Sequence, residues 1–274
     1  MSLLEVDELR VAFPGRGWRA KPVEVLHGVS LSVAPGETLG LVGESGSGKT
    51  TIGRAVLGLV KPSGGDIRFD GTSIAGISPR DRRRLSRDIQ VVFQDPYTSL
   101  NPSMTIGDIL AEPLVIQGAT AKDARSRVKT LLDQVGLPSD AVERLPREFS
   151  GGQRQRVAIA RALAPEPRLI VCDEPVSALD LSTQARVLDL FVEIQRATGV
   201  AYLFVSHDLS VVRHISHRVA VLYRGDLVET GPAEHVTSTP DHPYTQKLLL
   251  AAPVADPARQ RERRLERRRI MEAS

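Results

Sequence analysis

The feature that most constrains this chain is a glycine-rich loop between a short apolar run and a helical pattern. Residues 43–50 read Gly-Glu-Ser-Gly-Ser-Gly-Lys-Thr and fit the pattern G-x-x-x-x-G-K-[ST]. The apolar run 37–42 precedes this loop, and apolar residues recur at helical spacing over 50–60. Glycines let successive backbone N–H groups turn inward around an anion, and the positive end of the next helix adds to this field. The sequence therefore predicts a strand, a phosphate-binding loop and a helix.

This loop predicts a nucleotide as the ligand. Lys49 can reach the β- and γ-phosphates, and the Thr50 hydroxyl can ligate Mg²⁺. A chance match is the alternative, and about one random chain in a hundred of this length would contain the pattern. The position between strand and helix makes chance a weaker explanation. Residues 15–20 also fit a dinucleotide pattern, G-x-G-x-x-A, but Pro22 follows and no helix begins there.

A second candidate site is an apolar run that ends in two carboxylates. Residues 169–172 are apolar, and Asp173 and Glu174 follow them. At the edge of a parallel sheet these acids would emerge beside the phosphate loop. Asp173 would then hold Mg²⁺ through water, and Glu174 could orient or deprotonate an attacking water. The alternative is a strand end with solvated acids. Cys172, inside the same run, is expected to be a buried and unreactive thiol.

The rest of the chain alternates between strand-like and helical stretches. Strand-like runs lie at 4–6, 9–13, 25–33, 67–69, 89–93, 169–172, 201–205 and 219–223. Helical patterns lie at 80–87, where the arginines indicate a solvated face, over most of 104–164, and at 182–197. Such alternation predicts a parallel sheet covered on both faces, with the helical insert as a separate lobe.

The composition limits the class of protein. The chain has 274 residues, 25% charged and 41% hydrophobic, which suits one or two globular domains. Aromatic residues make up 4%, which disfavours an all-β sandwich and a protein that stacks single-stranded nucleic acid on aromatic rings. The single cysteine excludes an internal disulfide and an all-cysteine metal cluster. The sequence shows neither a signal-peptide pattern nor an apolar run of ~18 residues, so we expect a soluble cytoplasmic protein.

The net charge of +3 has a definite location. Residues 251–274 contain seven arginines and four acidic residues, so this tail carries the whole surplus and the first 250 residues are neutral. The body therefore lacks the excess of positive charge that attracts nucleic acid. We expect the basic tail to contact anionic lipid headgroups.

Several further stretches resemble motifs of the ATP-binding cassette (ABC) ATPases. Residues 149–156, FSGGQRQR, are similar to the signature motif, usually LSGGQ, with Phe149 where leucine is commoner. Residues 173–180 resemble the segment that runs into the D-loop, and His207 lies in a segment that resembles the switch histidine. Gln94 matches the glutamine of the Q-loop. The order and spacing agree over essentially the whole chain, which on this resemblance is identified as a member of the family.

The resemblance implies a fold of class α/β. The expected fold is a P-loop NTPase (RecA-like) core with an antiparallel β subdomain and a helical subdomain that holds the signature motif. The expected divisions are 1–94 for the core with its β subdomain, 95–165 for the helical subdomain, 166–238 for the rest of the core, and 239–274 for a C-terminal extension with the basic tail.

The resemblance also assigns residues to the site. The catalytic residues implied are Glu174, His207 and Gln94, and the Mg²⁺ ligands implied are Thr50, Gln94 and Asp173. The ATP-binding residues implied are Phe13, Gly43, Ser45, Gly46, Ser47, Gly48, Lys49, Thr50 and Thr51. A second subunit would contribute the signature residues Ser150, Gly151, Gly152 and Gln153, and the D-loop comprises Ser177, Ala178, Leu179 and Asp180. Phe13 would stack on the adenine, with Trp18 as a second candidate and a core position for Phe13 as the alternative.

Two stretches are similar to one subfamily. Residues 93–102 and 242–246 resemble the ATPases of dipeptide, oligopeptide and nickel importers. This implies a peripheral ATP-hydrolysing subunit on the cytoplasmic face of the membrane, which uses ATP and Mg²⁺ and whose head-to-tail dimer closes on ATP to power a permease. The implied partners are transmembrane permease subunits, a second ATPase that is a paralogue and, indirectly, an extracytoplasmic substrate-binding protein. No nucleic acid is implied.

Three alternatives stay open. The importer could carry nickel or another small solute instead of di- or oligopeptides. A soluble ABC ATPase that acts on nucleic acid or ribosomes is the second, although this chain has one cassette and a neutral body. A non-hydrolysing regulatory subunit is the third, although Glu174 and His207 are both present. No cysteine follows Cys172, so the iron–sulfur segment that some relatives carry cannot be transferred to this sequence.

Overall fold

The computed structural model describes residues 2–15, 17 and 21–251, so Trp18 and residues 252–274 of the basic tail lie outside it. The strands are β1 (Leu4–Phe13), β2 (Val23–Val33), β3 (Thr38–Val42), β4 (Gly64–Phe69), β5 (Thr72–Ser73), β6 (Ile89–Val92), β7 (Leu169–Asp173), β8 (Ala201–Ser206), β9 (Arg218–Tyr223) and β10 (Asp226–Pro232). The α-helices are α1 (Lys49–Val56), α2 (Pro79–Leu85), α3 (Pro96–Ser99), α4 (Ile106–Ile116), α5 (Ala121–Gln134), α6 (Gly151–Leu163), α7 (Leu181–Thr198), α8 (Leu209–Ile215), α9 (Ala233–Ser238) and α10 (Pro243–Ala251). Short 3₁₀ helices at Ser139–Glu143 and Pro146–Glu148 precede α6.

One sheet is antiparallel and has the strand order β2-β1-β4-β5. The two runs expected at 4–6 and 9–13 form a single strand, β1, because the register of its pairing with β2 shifts between Val6 and Leu9 without ending the strand. Glu8, inside this shift, has a φ of 48°, in the left-handed region. An irregularity of this kind bends a strand and lets it continue.

The other sheet positions the site. Its strand order is β10-β9-β3-β8-β7-β6, and every pair is parallel except β10 with β9. Val42 pairs with Ser206, and Asp173 pairs with Val205, so the carboxyl ends of β3, β8 and β7 lie side by side. The loops that follow these three strands therefore meet at one edge of the sheet. The prediction of a parallel sheet is confirmed, and β10 adds an antiparallel strand at one edge of this sheet.

The helix after the glycine-rich loop is shorter than the pattern over 50–60 predicts. It ends at Val56 because Gly58 adopts a φ of 72°, which turns the chain away from the helix axis. The Arg82 guanidinium donates to the Val56 carbonyl over 3.0 Å and to the Ile74 carbonyl over 2.7 Å. The expectation that the arginines of 80–87 only face solvent is therefore wrong for Arg82, which is half-buried and holds α1, α2 and the β5 region together.

Two separate hydrophobic cores cover the faces of the six-stranded sheet. Successive residues of β7 alternate between them: Ile170 and Cys172 join the core built with helices α4 to α7. Leu169 and Val171 join the core shared with α1 and the antiparallel sheet. Both faces of the strand that carries Asp173 are thus packed. Every helix among the described residues is too short or too polar to cross a bilayer.

Candidate nucleotide-binding site

The glycine-rich loop has the backbone that its sequence demands. Gly46 and Gly48 have φ values of 81° and 108°, which residues with a Cβ rarely adopt. Gly43 is required by a close approach as well, since a Cβ built on it would lie 2.1 Å from the Leu222 carbonyl oxygen of β9. The end of β9 therefore packs directly against the start of the loop, and the loop cannot widen on that side.

Lys49 lies inside the loop with only 4% of its surface exposed. Its Nζ donates to the carbonyl oxygens of Gly43 over 2.7 Å and Glu44 over 2.8 Å. Burial lowers the pKa of Lys49, and the carboxylates of Glu174, Asp173 and Glu44 oppose this change. The Ser47 hydroxyl is also buried and has no hydrogen-bond partner among the described residues. The loop thus offers a cation and an unpartnered hydroxyl to a ligand.

Thr50 and Asp173 meet at the carboxyl edge of the sheet. The Thr50 hydroxyl, in the first turn of α1, donates to Asp173 Oδ1 over 2.9 Å. Burial raises the pKa of Asp173, while the hydrogen bond from Thr50 and the charge of Arg54 act in the opposite direction. The structure therefore brings together two of the three residues expected to hold a metal. Gln94, the third, lies just beyond the end of β6, and its side chain is exposed.

Glu174 and His207 form a second pair beside the first. His207 Nδ1 lies 2.9 Å from Glu174 Oε2, so the carboxylate orients the imidazole ring. The Glu174 backbone N–H donates to the Val205 carbonyl over 3.0 Å, which ties the end of β7 to β8. Glu174 has a φ of 49°, a conformation that costs a non-glycine residue about 1–3 kcal/mol and occurs most often at functional sites.

The signature loop is a helix N-terminus with a capping box. The Ser150 hydroxyl accepts the Gln153 N–H over 3.3 Å, and Gln153 Oε1 accepts the Ser150 N–H over 2.9 Å. Helix α6 therefore begins at Gly151. A Cβ on Gly152 would lie 2.3 Å from the Thr183 methyl group, whereas one on Gly151 would meet atoms at an ordinary 3.6 Å. Of these two glycines, only Gly151 thus has room for a Cβ.

The D-loop runs directly from the acidic pair to helix α7. The Ser177 hydroxyl donates to the Glu174 carbonyl over 3.0 Å. Asp180 caps α7 by accepting the Thr183 N–H over 3.0 Å, and hydrogen bonds from Ser182 and Thr183 lower the pKa of Asp180. Ala178 and Leu179 lie between these anchors. The D-loop is therefore held at both ends by hydrogen bonds.

Phe13 lies at the end of β1, opposite Val23 of β2. Its side chain is 41% exposed, which disagrees with a position in the core. Farther along β2, the Leu26 side chain would lie 2.7 Å from a Cβ on Gly48. The strand pair that carries Phe13 thus borders the phosphate loop.

A comparison with protein families identifies the family of this chain. The model described as ABC transporter matches residues 26–177, more than half of the chain. The chain belongs to the ABC transporter family. A second model, described as the C-terminal region of oligopeptide/dipeptide transporters, matches residues 228–273 of this ABC cassette.

Similar proteins support the same assignment. The cassette is 52% identical over 268 residues to the glutathione import ATP-binding proteins GsiA of Escherichia coli K12 and of Shigella boydii serotype 4. This alignment covers 96% of the cassette and 43% of each GsiA protein, so the chain spans less than half the length of these relatives.

Solved structures match the cassette over most of its length. CbiO1 of Clostridium perfringens, part of the ABC transporter complex CbiONQ, superposes with a TM-score of 0.77 at 28% identity, over 87% of this chain and 91% of that one. An ATP-binding cassette in a post-hydrolysis state, bound to ADP and Pi, superposes with a TM-score of 0.74 at 27% identity, over 84% and 98%. The predicted family and P-loop NTPase fold are confirmed.

Two contacts to the phosphate loop of this ABC cassette were not expected from the sequence. The Gly225 N–H, in the turn between β9 and β10, donates to the Ser47 carbonyl over 3.0 Å. The Glu44 N–H donates to the Tyr244 hydroxyl over 3.0 Å. For the second contact, the sequence offers the stretch His242-Pro243-Tyr244, which resembles the importer subfamily but does not indicate that Tyr244 contacts Glu44.

Proposed function

We propose that this cassette is the ATP-hydrolysing subunit of a membrane importer for di- or oligopeptides, at the cytoplasmic face of the membrane. The observation that carries the catalytic part is the pair of short contacts at one sheet edge, Glu174 with His207 and Thr50 with Asp173, beside Lys49. The match to the C-terminal region of oligopeptide/dipeptide transporters and the likeness to glutathione import proteins support a peptide as the solute. Import of nickel or another small solute is the alternative.

In the proposed reaction Glu174 accepts a proton from the water whose oxygen attacks the γ-phosphorus, and ADP leaves. His207 is oriented by Glu174 through Nδ1, so Nε2 on the other side of the ring can contact the γ-phosphate. Lys49 exchanges the loop carbonyls for the β- and γ-phosphates, and residues 43–51 surround them. Gln94, exposed past β6, is assigned to the attacking water and the metal, and Phe13 is assigned to the adenine ring.

The residues present fit Mg²⁺. Thr50 and Asp173 already place a hydroxyl and a carboxylate oxygen 2.9 Å apart at the end of the loop, and both are oxygen donors of the kind that Mg²⁺ prefers. When bound with ATP, the ion neutralises charge on the β- and γ-phosphates. Thr50, Asp173 and Gln94 are the proposed ligands.

We propose that the chain divides into a core, a helical subdomain and a C-terminal extension, and that it works as one subunit of a dimer. Ser150, Gly151, Gly152 and Gln153 would close over the γ-phosphate held by a second ATPase subunit, which we propose is a paralogue. The N-terminus of the 13-residue helix α6 favours an anion at this place. Transmembrane permease subunits, and indirectly an extracytoplasmic substrate-binding protein, complete the importer.

The catalytic assignment is tested by Glu174→Gln in the complex purified from membranes. The amide keeps a hydrogen-bond acceptor for His207 but removes the base, so we expect the rate of ATP hydrolysis to fall about 100-fold or more while ATP stays bound. Glu193→Gln, which makes the same change in charge on the exposed face of α7, is the matched control and should keep its rate. Undiminished hydrolysis in Glu174→Gln would contradict the assignment.

The importer assignment is tested by co-expression with the permease genes of the same transport system. We expect the cassette to sediment with membranes and to co-purify with permease subunits and a second ATPase, and uptake of labelled dipeptides or nickel then identifies the solute. A cassette that stays in the soluble fraction under these conditions would rule out the importer.

A further inference from the structure

The C-terminal segment reaches the phosphate loop across 200 positions of sequence. The Glu44 N–H donates to the Tyr244 hydroxyl over 3.0 Å. Tyr244 is 9% exposed, and its ring centroid lies 4.1 Å from that of Tyr223 at the end of β9. The carbonyl of Leu222, one residue earlier, is the group that packs against Gly43. The Tyr244 ring therefore packs on the end of β9, the same segment that contacts Gly43 of the loop.

This hydrogen bond acts on a single peptide plane. The Glu44 N–H and the Gly43 carbonyl belong to the same peptide group, and that carbonyl accepts from Lys49 Nζ over 2.7 Å. Because a trans peptide is planar, its N–H and C=O point in opposite directions. Tyr244 thus holds one side of the plane and Lys49 the other. Rotation of this plane would move the oxygen on which Lys49 rests.

Tyr244 itself is anchored by the strand β10. The Glu229 carboxylate accepts the backbone N–H of Asp241 over 2.9 Å and that of His242 over 3.2 Å. His242 Nδ1 in turn accepts the Tyr244 N–H over 3.1 Å, at the start of α10. A continuous series of hydrogen bonds therefore fixes the backbone of Tyr244 relative to the sheet.

We propose that Tyr244 is a positioning residue for the phosphate loop, and that through it the C-terminal segment sets the affinity of this loop for ATP. The inference rests on the proposed function, since it assumes that Lys49 exchanges the Gly43 and Glu44 carbonyls for phosphate oxygens. Tyr244 fixes the peptide that Lys49 leaves and keeps the loop in its binding conformation. Without the hydroxyl the 43–44 plane can rotate, and ATP must order it on binding.

The test compares Tyr244→Phe with Tyr223→Phe in the full chain. Both variants keep the ring pair, but only the first removes the acceptor of the Glu44 N–H. We expect Tyr244→Phe to raise the Kd of a fluorescent ATP analogue about two- to tenfold, the equivalent of one hydrogen bond, and Tyr223→Phe to leave it unchanged. The KM for ATP should rise with Kd while kcat stays within about twofold, because the Tyr244 hydroxyl contacts the loop backbone and none of the residues assigned to the chemical step.

Hydrogen exchange gives a readout that a loss of general stability would not reproduce. The Glu44 amide should exchange faster in Tyr244→Phe than in Tyr223→Phe, with the amides of β8 unchanged. Three results would each overturn the inference. They are equal Kd values for the wild type and Tyr244→Phe, an equal rise in Kd in both variants, and faster amide exchange throughout β8 in Tyr244→Phe. Failure of the wild-type chain to bind ATP would instead contradict the proposed function.

Discussion

The contact between Gly152 and Thr183 supports a prediction that can be worked out from distances. A Cβ on Gly152 would lie 2.3 Å from Thr183 Cγ2, well inside the ~3.5–4.0 Å at which carbon atoms touch. Gly152→Ala should gain at most about 1 kcal/mol in helix propensity but lose about 1–3 kcal/mol through overpacking. We therefore expect a net loss of up to about 3 kcal/mol in the free energy of unfolding.

Removing the Thr183 methyl group should turn Gly152→Ala from a destabilising into a stabilising substitution. After Thr183→Ser, the nearest remaining atoms, Cβ and Oγ of residue 183, lie at 3.7 and 3.9 Å, which is ordinary contact. In that background Gly152→Ala should stabilise the chain by up to about 1 kcal/mol, so the coupling energy of the cycle is about 1–3 kcal/mol.

Urea denaturation of the four proteins measures this cycle. Gly151→Ala is the matched control, because its Cβ would meet only contacts at 3.6 Å and no coupling to Thr183→Ser is expected. If Gly152→Ala changes the free energy of unfolding equally in both backgrounds, within about 0.5 kcal/mol, the steric reasoning is refuted.

The remaining predictions concern the thiol and the adenine site. Cys172 is fully buried and burial raises its pKa well above that of a free thiol, so Ellman's reagent should leave it unmodified in the native chain and react after unfolding; rapid native reaction would contradict the burial. Phe13→Ala should raise the Kd for ATP about fivefold or more, since stacking of a base on an aromatic ring contributes about 1–3 kcal/mol, and Phe13→Trp should restore it. Unchanged affinity in Phe13→Ala would exclude the ring from the adenine site.

The sequence predicted those contacts that follow from the position of a motif at the end of a parallel strand. The spacing of Gly43 to Thr50 dictates a loop between strand and helix, and the apolar run before Asp173 dictates a buried strand that ends beside it. Because β3, β8 and β7 are parallel and end at one edge of the sheet, Thr50 meets Asp173 and His207 meets Glu174 there. These outcomes follow from local pattern and from the geometry of a parallel sheet.

The rest depends on contacts between distant segments, which a local pattern does not encode. Nothing near Gly152 in the sequence indicates that its missing Cβ makes room for Thr183. Nothing near Tyr244 indicates that its hydroxyl accepts the Glu44 N–H. The stretch 80–87 has the composition of a solvated helix face. The Arg82 guanidinium nevertheless reaches the end of α1 and donates to the Val56 carbonyl, which has no partner within the helix.

The two hydrophobic cores on either side of the six-stranded sheet have a consequence for how such chains can diverge. Because the cores share no residue, a change of volume among α4 to α7 can be compensated by neighbours in the same core, without repacking around α1. The strands between the cores are the exception, because their successive residues face opposite cores. In β7 this holds for Ile170 and Val171, and both support the carboxylates that follow. In homologous chains, the side chains of each core should therefore vary in size independently of the other core. Paired substitutions that compensate one another across β7 should be rare.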